Sequence, residues 1–247
     1  MRAEDFLDQA ERLPLAGLQE ILGSRGVVVV APHPDDESLG CGGLIAQASA
    51  QGTAVRIVVV SDGVGSHPGS ICYPPVRLKV VREAETLKAA LNLGLESRAV
   101  TFLGLPDREV PAEGPRALAA AEQIASIAKE IDAGTLLVTW KHDPHCDHQA
   151  AHALARHALR LLGPGVVLRS YPIWGRSLPP DQDVGAHAPS GVRLDISAQA
   201  AAKRAAITAH ASQTGRLIHD DPGGFQLDPK MIERFATSPE IYLDEPS

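Results

Sequence analysis

Aromatic side chains are scarce in this chain: phenylalanine, tyrosine and tryptophan together make up 4% of its 247 residues. Proteins that bind single-stranded nucleic acid stack the bases on aromatic rings, so this mode of binding is not expected, and neither is a deep aromatic tray for sugars. Cationic side chains are also in deficit, with 23 Lys and Arg against 30 Asp and Glu and a formal net charge of −7. Such a chain repels phosphate backbones, which argues against nucleic acid as a main partner.

Cysteines and long apolar runs are scarce as well. The three cysteines, Cys41, Cys72 and Cys146, are odd in number and have no paired spacing, which is not typical of a disulfide framework. No stretch approaches the roughly 20 apolar residues that cross a bilayer, and the acidic N-terminus lacks the apolar segment of a signal peptide. These absences predict a cytoplasmic protein without a transmembrane segment.

Short β-branched runs alternate with amphipathic or alanine-rich segments through most of the chain. Strands are predicted at 27–30, 55–60, 100–103, 135–140, 166–171 and 192–196, and helices at 39–51, 76–93, 115–131 and 197–210. This alternation is typical of an α/β protein with a Rossmann-like, doubly wound, mostly parallel sheet in a three-layer α/β/α arrangement. We expect a single domain over residues 1–247, with a core at about 25–172 and a variable C-terminal part at 173–247.

The first predicted strand runs directly into a cluster of ionisable residues, Pro32-His33-Pro34-Asp35-Asp36-Glu37. Histidine and carboxylate side chains can bind a metal or move a proton. Pro32 and Pro34 fix φ on either side of His33, so the turn that carries this histidine is rigid. Ligands of open α/β sheets bind just beyond the carboxyl ends of strands, and a catalytic site is therefore predicted here.

A second cluster, His142-Asp143-Pro144-His145-Cys146-Asp147-His148, follows the predicted strand at 135–140. Apolar residues then recur at three- and four-residue steps, so His148 is expected in the first turn of a helix. Both clusters follow strand ends, where side chains distant in sequence can converge on one ion. Cys146 is not expected to be a ligand, because imidazole and carboxylate donors surround it.

Structural roles are the alternative for several of these residues. Asp36 could be the N-cap of the helix at 39–51, but two adjacent clusters favour a metal site over a simple capping turn. Glu37 is expected to be a supporting carboxylate rather than a ligand. His152 lies four residues after His148 on the same helix face, and we favour packing over a further ligand for it.

Other polar residues are weaker candidates. Arg82 and Glu85 have the spacing of an exposed helical ion pair. Four loop residues can either shape their loops or reach the site: Ser66, His67, His142 and Asp143. Surface positions are expected for four residues of the C-terminal part: His210, His219, Asp220 and Asp221. The segment at 219–225 is expected to be a turn-rich loop near no core element.

The motif Pro-His-Pro-Asp-Asp-Glu at 32–37, with His-x-Asp-His at 145–148, resembles the PIG-L/LmbE-like zinc deacetylases. This family includes the N-acetylglucosaminyl-phosphatidylinositol de-N-acetylases and the deacetylases of the mycothiol and bacillithiol pathways. The resemblance also covers the polar loop at 61–68, the helix at 77–88 and Leu-Pro-Asp at 105–107. It extends over about two thirds of the chain and leaves out most of the C-terminal part.

The resemblance implies a role for each matching residue. The zinc ligands would be His33, Asp36 and His148. Asp35 would be the general base. His145 would assist at the developing oxyanion, and Asp147 would hold that histidine. Independently of the resemblance, a carboxylate beside an imidazole raises the pKa of the ring, so we expect His145 to act as a cation.

The resemblance also implies contacts with the substrate. An arginine on the helix at 77–88 orients the sugar in this family, which makes Arg82 a candidate for substrate binding, and Asp107 at a strand end is a second candidate. One departure is visible, because Cys146 stands where the family usually has proline and Pro144 precedes it. The loop that carries His145 is therefore expected to be set somewhat differently.

Together these features predict a zinc-dependent hydrolase that removes an N-acetyl group from an amino-sugar conjugate. Fe²⁺ also suits histidine and carboxylate ligands. The alternatives are a metal-dependent hydrolase of another N-acyl amide or an ester, and a non-catalytic metal- or carbohydrate-binding module. The group that bears the acetylated sugar is not fixed by the sequence, and a homo-oligomer is compatible with it.

Overall fold

A seven-stranded, mostly parallel sheet forms the centre of the computed structural model, which describes residues 1–185 and 187–245. The strands are β1 (Gly26–Ala31), β2 (Val55–Ser61), β3 (Val100–Leu105), β4 (Ala133–Thr139), β5 (Val167–Tyr171), β6 (Gly191–Leu194) and β7 (Glu240–Asp244). Their order in the sheet is β3-β2-β1-β4-β5-β7-β6. Neighbours from β3 to β5 pair in parallel, whereas β7 is antiparallel to both β5 and β6.

Helices cover both faces of this sheet. They are α1 (Ala3–Ala10), α2 (Leu18–Leu22), α3 (Asp36–Ala50), α4 (Pro75–Asn92), α5 (Pro115–Glu130), α6 (Cys146–Leu162), α7 (Ala200–Ala209) and α8 (Pro229–Thr237). Alternate residues of β1 face opposite sides, so Val27 and Val29 pack with α3, α4 and α7, whereas Val28 and Val30 pack with α5 and α6. This confirms the predicted three-layer α/β/α architecture. Within residues 1–185 and 187–245, no helix is both long and apolar enough to cross a membrane.

The strand order places the two ionisable clusters beside each other. From β1 the chain crosses to β2 on one side, and β4 later pairs with β1 on the other side. A crevice opens at the carboxyl ends of the strands where the winding reverses in this way. The segments after β1 and β4 therefore meet, although His33 and Asp147 are 114 residues apart in sequence.

Two glycines of α3 let this helix lie very close to its neighbours. A Cβ atom at Gly40 would lie 2.2 Å from Cδ2 of Tyr171, and one at Gly43 would lie 2.2 Å from Cγ2 of Ile196. Any larger residue would displace a buried side chain from a close-packed core. This packing fixes α3, whose first residue is Asp36, against the sheet.

A buried ion pair joins the C-terminal part of the chain to α3. Nζ of Lys203 in α7 donates to Oε1 of Glu240 in β7 at 2.6 Å, and both side chains are almost fully buried. The same carboxylate accepts the backbone N–H of Gly43 at 2.6 Å and that of Leu44 at 2.8 Å. These additional hydrogen bonds offset the cost of removing two charges from water.

The structure departs from the predicted elements mainly in the C-terminal part. Neither α8 nor β7 is predicted. β7 is short and has a carboxylate side chain at each end, so its apolar residues do not form a recognisable strand pattern. α3 begins at Asp36 rather than at residue 39, since Asp36 and Glu37 stabilise its first turn through the helix dipole. Asp35 occupies the N-cap position without a side-chain capping bond, so the interpretation of Asp36 as the N-cap is wrong.

Candidate metal centre and active site

His33, Asp36 and His148 bring three donor atoms together in the crevice. Oδ2 of Asp36 lies 3.2 Å from Nδ1 of His33 and 3.2 Å from Nε2 of His148. All three residues are buried. Burial disfavours the charge of Asp36, but the two imidazoles outweigh it and hold the pKa of this carboxyl well below its usual range. Asp36 is therefore an anion at neutral pH, as a metal ligand must be.

This donor set fits a divalent metal ion. Ligand atoms about 2.1 Å from a tetrahedral zinc ion lie about 3.4 Å from one another, close to the separations of 3.2 Å found here. Nε2 of His148 is buried and faces the Asp36 carboxylate at 3.2 Å, and this neighbour helps to raise the pKa of the ring to about 9. A metal bound between the two groups would displace the proton of this nitrogen. The donor atoms of His33, His145 and His148 also lie within 4.8 Å of one another. Imidazole and carboxylate ligands suit zinc or Fe(II).

Carboxylates fix the orientation of the imidazoles of His33 and His148. Oδ2 of Asp147 lies 3.1 Å from Nε2 of His33, and Oδ1 of Asp107 lies 3.4 Å from the same nitrogen. Oδ2 of Asp143 lies 3.0 Å from Nδ1 of His148. A carboxylate that accepts the N–H of one ring nitrogen leaves the other nitrogen unprotonated and able to bind a metal. Together with Asp36, these aspartates raise the pKa of both rings, that of His148 to about 9, so a metal bound here would displace one proton from each ring. The aspartates would then hold the remaining N–H of each ring and fix its tautomer.

Asp35, which precedes Asp36 in the chain, has a strained backbone conformation. Its φ is 141°, a value that residues with a side chain rarely adopt. Its Oδ2 lies 3.1 Å from Nη2 of Arg82, whose guanidinium also donates to the carbonyls of Pro34 at 2.5 Å and Gly63 at 2.8 Å. Burial raises the pKa of Asp35 to about 7 despite this neighbouring cation. Strain that is held by surrounding contacts is typical of functional positions.

Glu37 holds the backbone of Asp35 in place. Oε2 of Glu37 accepts the Asp35 N–H at 3.1 Å, and Oε1 accepts the Ser38 hydroxyl at 2.7 Å. Nε2 of His210 lies 3.1 Å from the same Oε1, and the side chains of Glu37 and His210 are fully buried. The supporting role predicted for Glu37 agrees with these contacts. The surface position expected for His210 is wrong, because this histidine completes the support of the turn.

Asp147 does not hold His145 in the way that the resemblance implies. Its carboxylate contacts His33 and accepts the backbone N–H groups of Arg108 at 2.6 Å and Val110 at 3.2 Å. His145 is held instead by the Asp147 backbone, whose N–H donates to Nδ1 of the ring at 3.2 Å. Burial, together with the nearby imidazoles, lowers the pKa of His145 to about 4. The expectation of a raised pKa is wrong, and His145 is neutral at pH 7 with its proton on Nε2.

A cavity of about 340 Å³ opens at this cluster. His33, Asp35, Asp36 and His145 all line it. Neutral polar and aromatic side chains form other parts of its wall: Ser66, Gln213, Trp174 and Phe225. The rings of Trp174 and Phe225 meet edge to face with their centroids 5.6 Å apart. The scarcity of aromatic residues predicts no deep sugar tray, yet two of these few rings meet at the cavity.

Gln213 offers this cavity an acceptor. Its Nε2 donates to Oγ of Ser66 at 3.3 Å and to Oγ of Ser212 at 2.9 Å. Its Oε1 is buried and has no hydrogen-bond partner within residues 1–185 and 187–245. Leaving such an acceptor unpaired costs free energy, so this oxygen is suited to a donor on a bound ligand.

The turn-rich C-terminal segment forms one side of the cavity. Oδ2 of Asp221 accepts the backbone N–H of Gly69 at 2.9 Å, and the carboxylate of Asp220 accepts two further hydrogen bonds from the same loop. The Phe225 N–H donates to the carbonyl of Ser66 at 2.8 Å. The segment is a turn-rich loop, as expected, and it is tied to the loop that follows β2. The surface position expected for Asp221 is wrong, because this residue is buried.

Arg82 and Asp107, which are predicted to contact substrate, are both committed to protein groups. Arg82 is only 2% exposed and uses its guanidinium within the turn. Oδ2 of Asp107 accepts the Gly65 N–H at 2.7 Å. The exposed ion pair predicted between Arg82 and Glu85 is wrong, because both are buried and Glu85 accepts the backbone N–H of Ser212 at 2.8 Å. Arg82 and Asp107 both line the cavity, so their contact with substrate stays a prediction.

The remaining candidates divide between packing and support. His152 packs as predicted, with Nδ1 3.2 Å from the carbonyl of Thr139. His142 stacks edge to face on Trp140, with centroids 5.0 Å apart, and does not line the cavity. Asp143 does more than shape its loop, because its carboxylate orients the ring of His148. A carboxylate near a ligand histidine is a common second partner of the ring, and this is the signal that could have identified it.

Comparisons with known proteins give consistent matches. Residues 28–159, more than half of the chain, match the family model of the PIG-L proteins, described as GlcNAc-PI de-N-acetylase. A 1D-myo-inositol 2-acetamido-2-deoxy-alpha-D-glucopyranoside deacetylase of Mycobacteroides abscessus is 27% identical and covers 83% of this chain and 86% of its own length. A 2'-N-acetylparomamine deacetylase of Streptomyces fradiae is 29% identical and covers 64% of this chain and 59% of its own length.

The solved structures extend the likeness to the fold. The N,N'-diacetylchitobiose deacetylase of Pyrococcus horikoshii superposes with a TM-score of 0.66 and is 18% identical in sequence. The match covers 98% of this chain and 91% of that protein. At this level of identity the likeness concerns the fold alone.

Proposed function

Because the chain belongs to the PIG-L family, we propose that it is a metal-dependent amidohydrolase that removes an N-acetyl group from an amino-sugar conjugate. The observation that carries this function is the position of Asp35, a carboxyl with a pKa near neutrality, in a cavity wall next to the donor atoms of His33 and Asp36, with His148 buried behind Asp36. A binding module has no need of such a base next to its ligands. Curated relatives that are deacetylases of acetylated amino sugars support the choice of substrate class.

His33, Asp36 and His148 would hold the metal, with zinc as the default and Fe²⁺ as the alternative. Such an ion supplies Lewis acidity, which polarises a carbonyl group and acidifies water. The protein contributes the supports, since Asp147 and Asp143 orient the two imidazoles. These carboxylates also make the rings more basic and therefore better ligands.

Asp35 would act as the general base. Its pKa of about 7 leaves a substantial fraction of carboxylate at neutral pH, which is the condition for efficient proton transfer. Two groups fix the position of Asp35. The guanidinium of Arg82 donates to its carboxylate, and the Glu37 carboxylate accepts its backbone N–H. Asp35 would take a proton from water and return it to the leaving amine.

His145 would stabilise the developing oxyanion as a neutral hydrogen-bond donor. Its Nδ1 accepts from the Asp147 backbone, so the ring proton is on Nε2. His145 lines the cavity, whereas His148 does not. One such donor contributes about 2.7–4 kcal/mol to the stabilisation of an oxyanion transition state in a well-studied hydrolase, and this role needs no positive charge on the ring.

The rest of the cavity suits an uncharged sugar. Oε1 of Gln213 can accept a hydrogen bond from a hydroxyl group, and the Ser66 hydroxyl lies beside it. The Trp174–Phe225 pair offers apolar surface for the C–H faces of a ring. We further propose a cytoplasmic location, which the three unpaired cysteines support.

Metal analysis combined with amine release tests this function. The protein is stripped with a chelator, reloaded with zinc or Fe²⁺, and assayed on a panel of neutral N-acetylglucosaminides, other N-acyl amides and esters. Amine release from the glucosaminides should follow metal occupancy and be lost in Asp35→Asn protein that still binds metal. If the protein hydrolysed only the other amides or the esters, the proposed substrate class would be wrong. If its activity did not depend on metal, the proposed mechanism would be wrong.

A further inference from the structure

Arg108 differs from the other charged side chains of the cavity wall. Arg82 and Asp35 pair with each other, and Asp107 binds a backbone N–H. The histidines and Asp36 belong to the metal cluster. Arg108 is an exposed residue of the cavity wall, and its side chain makes no hydrogen bond or ion pair with any residue in the described ranges 1–185 and 187–245.

The backbone of Arg108 is held in a costly conformation. Its φ is 67°, a left-handed value that glycine or asparagine adopts more easily. The Arg108 N–H donates to Oδ2 of Asp147 at 2.6 Å, and this same oxygen lies 3.1 Å from Nε2 of His33. One carboxylate oxygen therefore fixes Arg108 relative to a metal ligand. Strain that surrounding contacts maintain at a cavity is typical of functional positions.

A free guanidinium in this place suits one kind of ligand group. Arginine presents a planar set of donors that matches the oxygens of phosphate and carboxylate groups. The chain as a whole carries a net charge of −7, so an anionic ligand is repelled at long range and needs a local cation. Oε1 of Gln213, a wall atom without a hydrogen-bond partner in the described residues, is neutral.

We propose that Arg108 binds an oxyanion, a phosphate or a carboxylate, on the substituent that the acetylated amino sugar carries. This inference rests on the proposed function and specifies its substrate class as an anionic amino-sugar conjugate. The reacting acetamide faces the metal cluster, and the oxyanion faces the rim at Arg108. The neutral sugar ring lies between them.

Three substrates that differ only at the anomeric substituent test this assignment. They are the methyl glycoside, the 1-phosphate and the carboxymethyl glycoside of N-acetyl-α-glucosamine. The measured quantity is the ratio of kcat/KM for each anionic substrate to kcat/KM for the neutral one, which cancels any general damage to a variant. In wild-type protein at low salt, at least one ratio should exceed about 10, because a charge-assisted bond is stronger than a neutral one. The phosphate and carboxylate arms decide which oxyanion is preferred.

Arg108→Asn removes the charge and keeps a residue that tolerates the left-handed backbone. We expect it to lower the ratio about 10-fold or more, and Arg108→Lys should retain part of the preference without bidentate geometry. Arg116→Asn is the matched control, because Arg116 is exposed on α5 and does not line the cavity. It should leave both ratios unchanged. Added salt should reduce the wild-type preference and have little effect on Arg108→Asn.

Two outcomes overturn the assignment: ratios near one in wild-type protein, or ratios that Arg108→Asn does not alter. Absence of amine release from all three substrates would overturn the proposed function instead. In that case calorimetric binding of glucosamine 1-phosphate and methyl glucosaminide to metal-free protein still decides the point. The oxyanion site is supported if the wild-type protein binds glucosamine 1-phosphate more tightly than methyl glucosaminide and Arg108→Asn abolishes this difference. Equal affinities of the wild-type protein for the two ligands would contradict the site.

Discussion

The carboxylate of Asp147 lies 3.1 Å from ring nitrogen Nε2 of His33, although in the sequence it stands only two residues after His145. The aspartate of the second motif thus supports the histidine of the first motif. A residue that orients a metal ligand acts on metal affinity, whereas a residue that tunes an oxyanion donor acts on the rate. The two roles can be separated by measurement.

Asp147→Asn should therefore weaken metal binding by about 10- to 100-fold, because His33 loses its charged partner. Competition with a metal indicator measures this affinity. His145→Ala is the matched comparison, and we expect it to keep the affinity and lower kcat. If Asp147→Asn binds metal like the wild type and only kcat falls, Asp147 serves His145 after all.

The neighbouring carboxylates Asp35 and Asp36 should separate in the same kind of assay. Asp35→Asn should keep the metal and lose about 10²–10⁴-fold in rate, as expected for a lost general base. Asp36→Asn should lose metal as well, because Asp36 lies 3.2 Å from both ligand imidazoles. Metal content and kcat are measured on the same preparations. Identical behaviour of the two variants would falsify this division of roles.

The sequence alone predicts the fold and the cluster because both depend on local signals. Four consecutive valines read as a buried parallel strand, and the run into His33 places the site at its carboxyl end. Val28 and Val30 pack against α5 and α6 as the alternation requires. The helix that carries His148 follows from apolar periodicity alone.

The supports of the site are not predictable in this way, because they depend on contacts between distant segments. His210 reaches Glu37 across 173 residues, and Asp221 reaches Gly69 across 152 residues. Nothing near His210 in sequence indicates a buried partner. The resemblance assigns the Asp147 carboxylate to His145, and only the folded structure shows that this carboxylate contacts His33 instead.

The strained backbone of Asp35 gives a prediction about stability. Asp35→Ala and Asp35→Gly both remove the carboxylate and its pairing with Arg82, so their difference isolates the backbone. Glycine adopts a φ of 141° without steric cost. The free energy of unfolding, measured by denaturant titration, should therefore be higher for Asp35→Gly than for Asp35→Ala by about 1 kcal/mol or more. Equal stabilities would mean that the turn relaxes once the carboxylate is gone.

The buried pair Lys203–Glu240 should be sensitive to the loss of one partner. Lys203→Met leaves the Glu240 charge buried, and we expect the free energy of unfolding to fall by about 3–5 kcal/mol. The double variant Lys203→Met/Glu240→Gln should recover part of this loss, since no charge is then left unpaired. Arg204→Ala is the control, because its pair with Glu233 is exposed and should matter little. A Lys203→Met protein as stable as Arg204→Ala would contradict the role of this pair.

Phe225 should determine how well the substrate is held rather than how fast it reacts. It is partly exposed and lies in the cavity wall against Trp174, so truncation removes contact surface without opening the core. Phe225→Ala should raise KM about 3- to 10-fold, the equivalent of one aromatic contact, with a smaller change in kcat. Phe225→Tyr should retain most of the affinity, and Leu118→Ala on α5 should change neither constant.

The anchor of this wall allows a stricter test of the same idea. Asp221→Ala removes the hydrogen bond to Gly69 that ties the C-terminal segment to the loop after β2. If the anchor acts by presenting Phe225, Asp221→Ala should raise KM in the same direction, and the double variant should be no worse than Phe225→Ala alone. Contacts that share one function are not additive, whereas independent effects add. Additive increases in KM would therefore show that Asp221 contributes to binding by some route other than the position of Phe225.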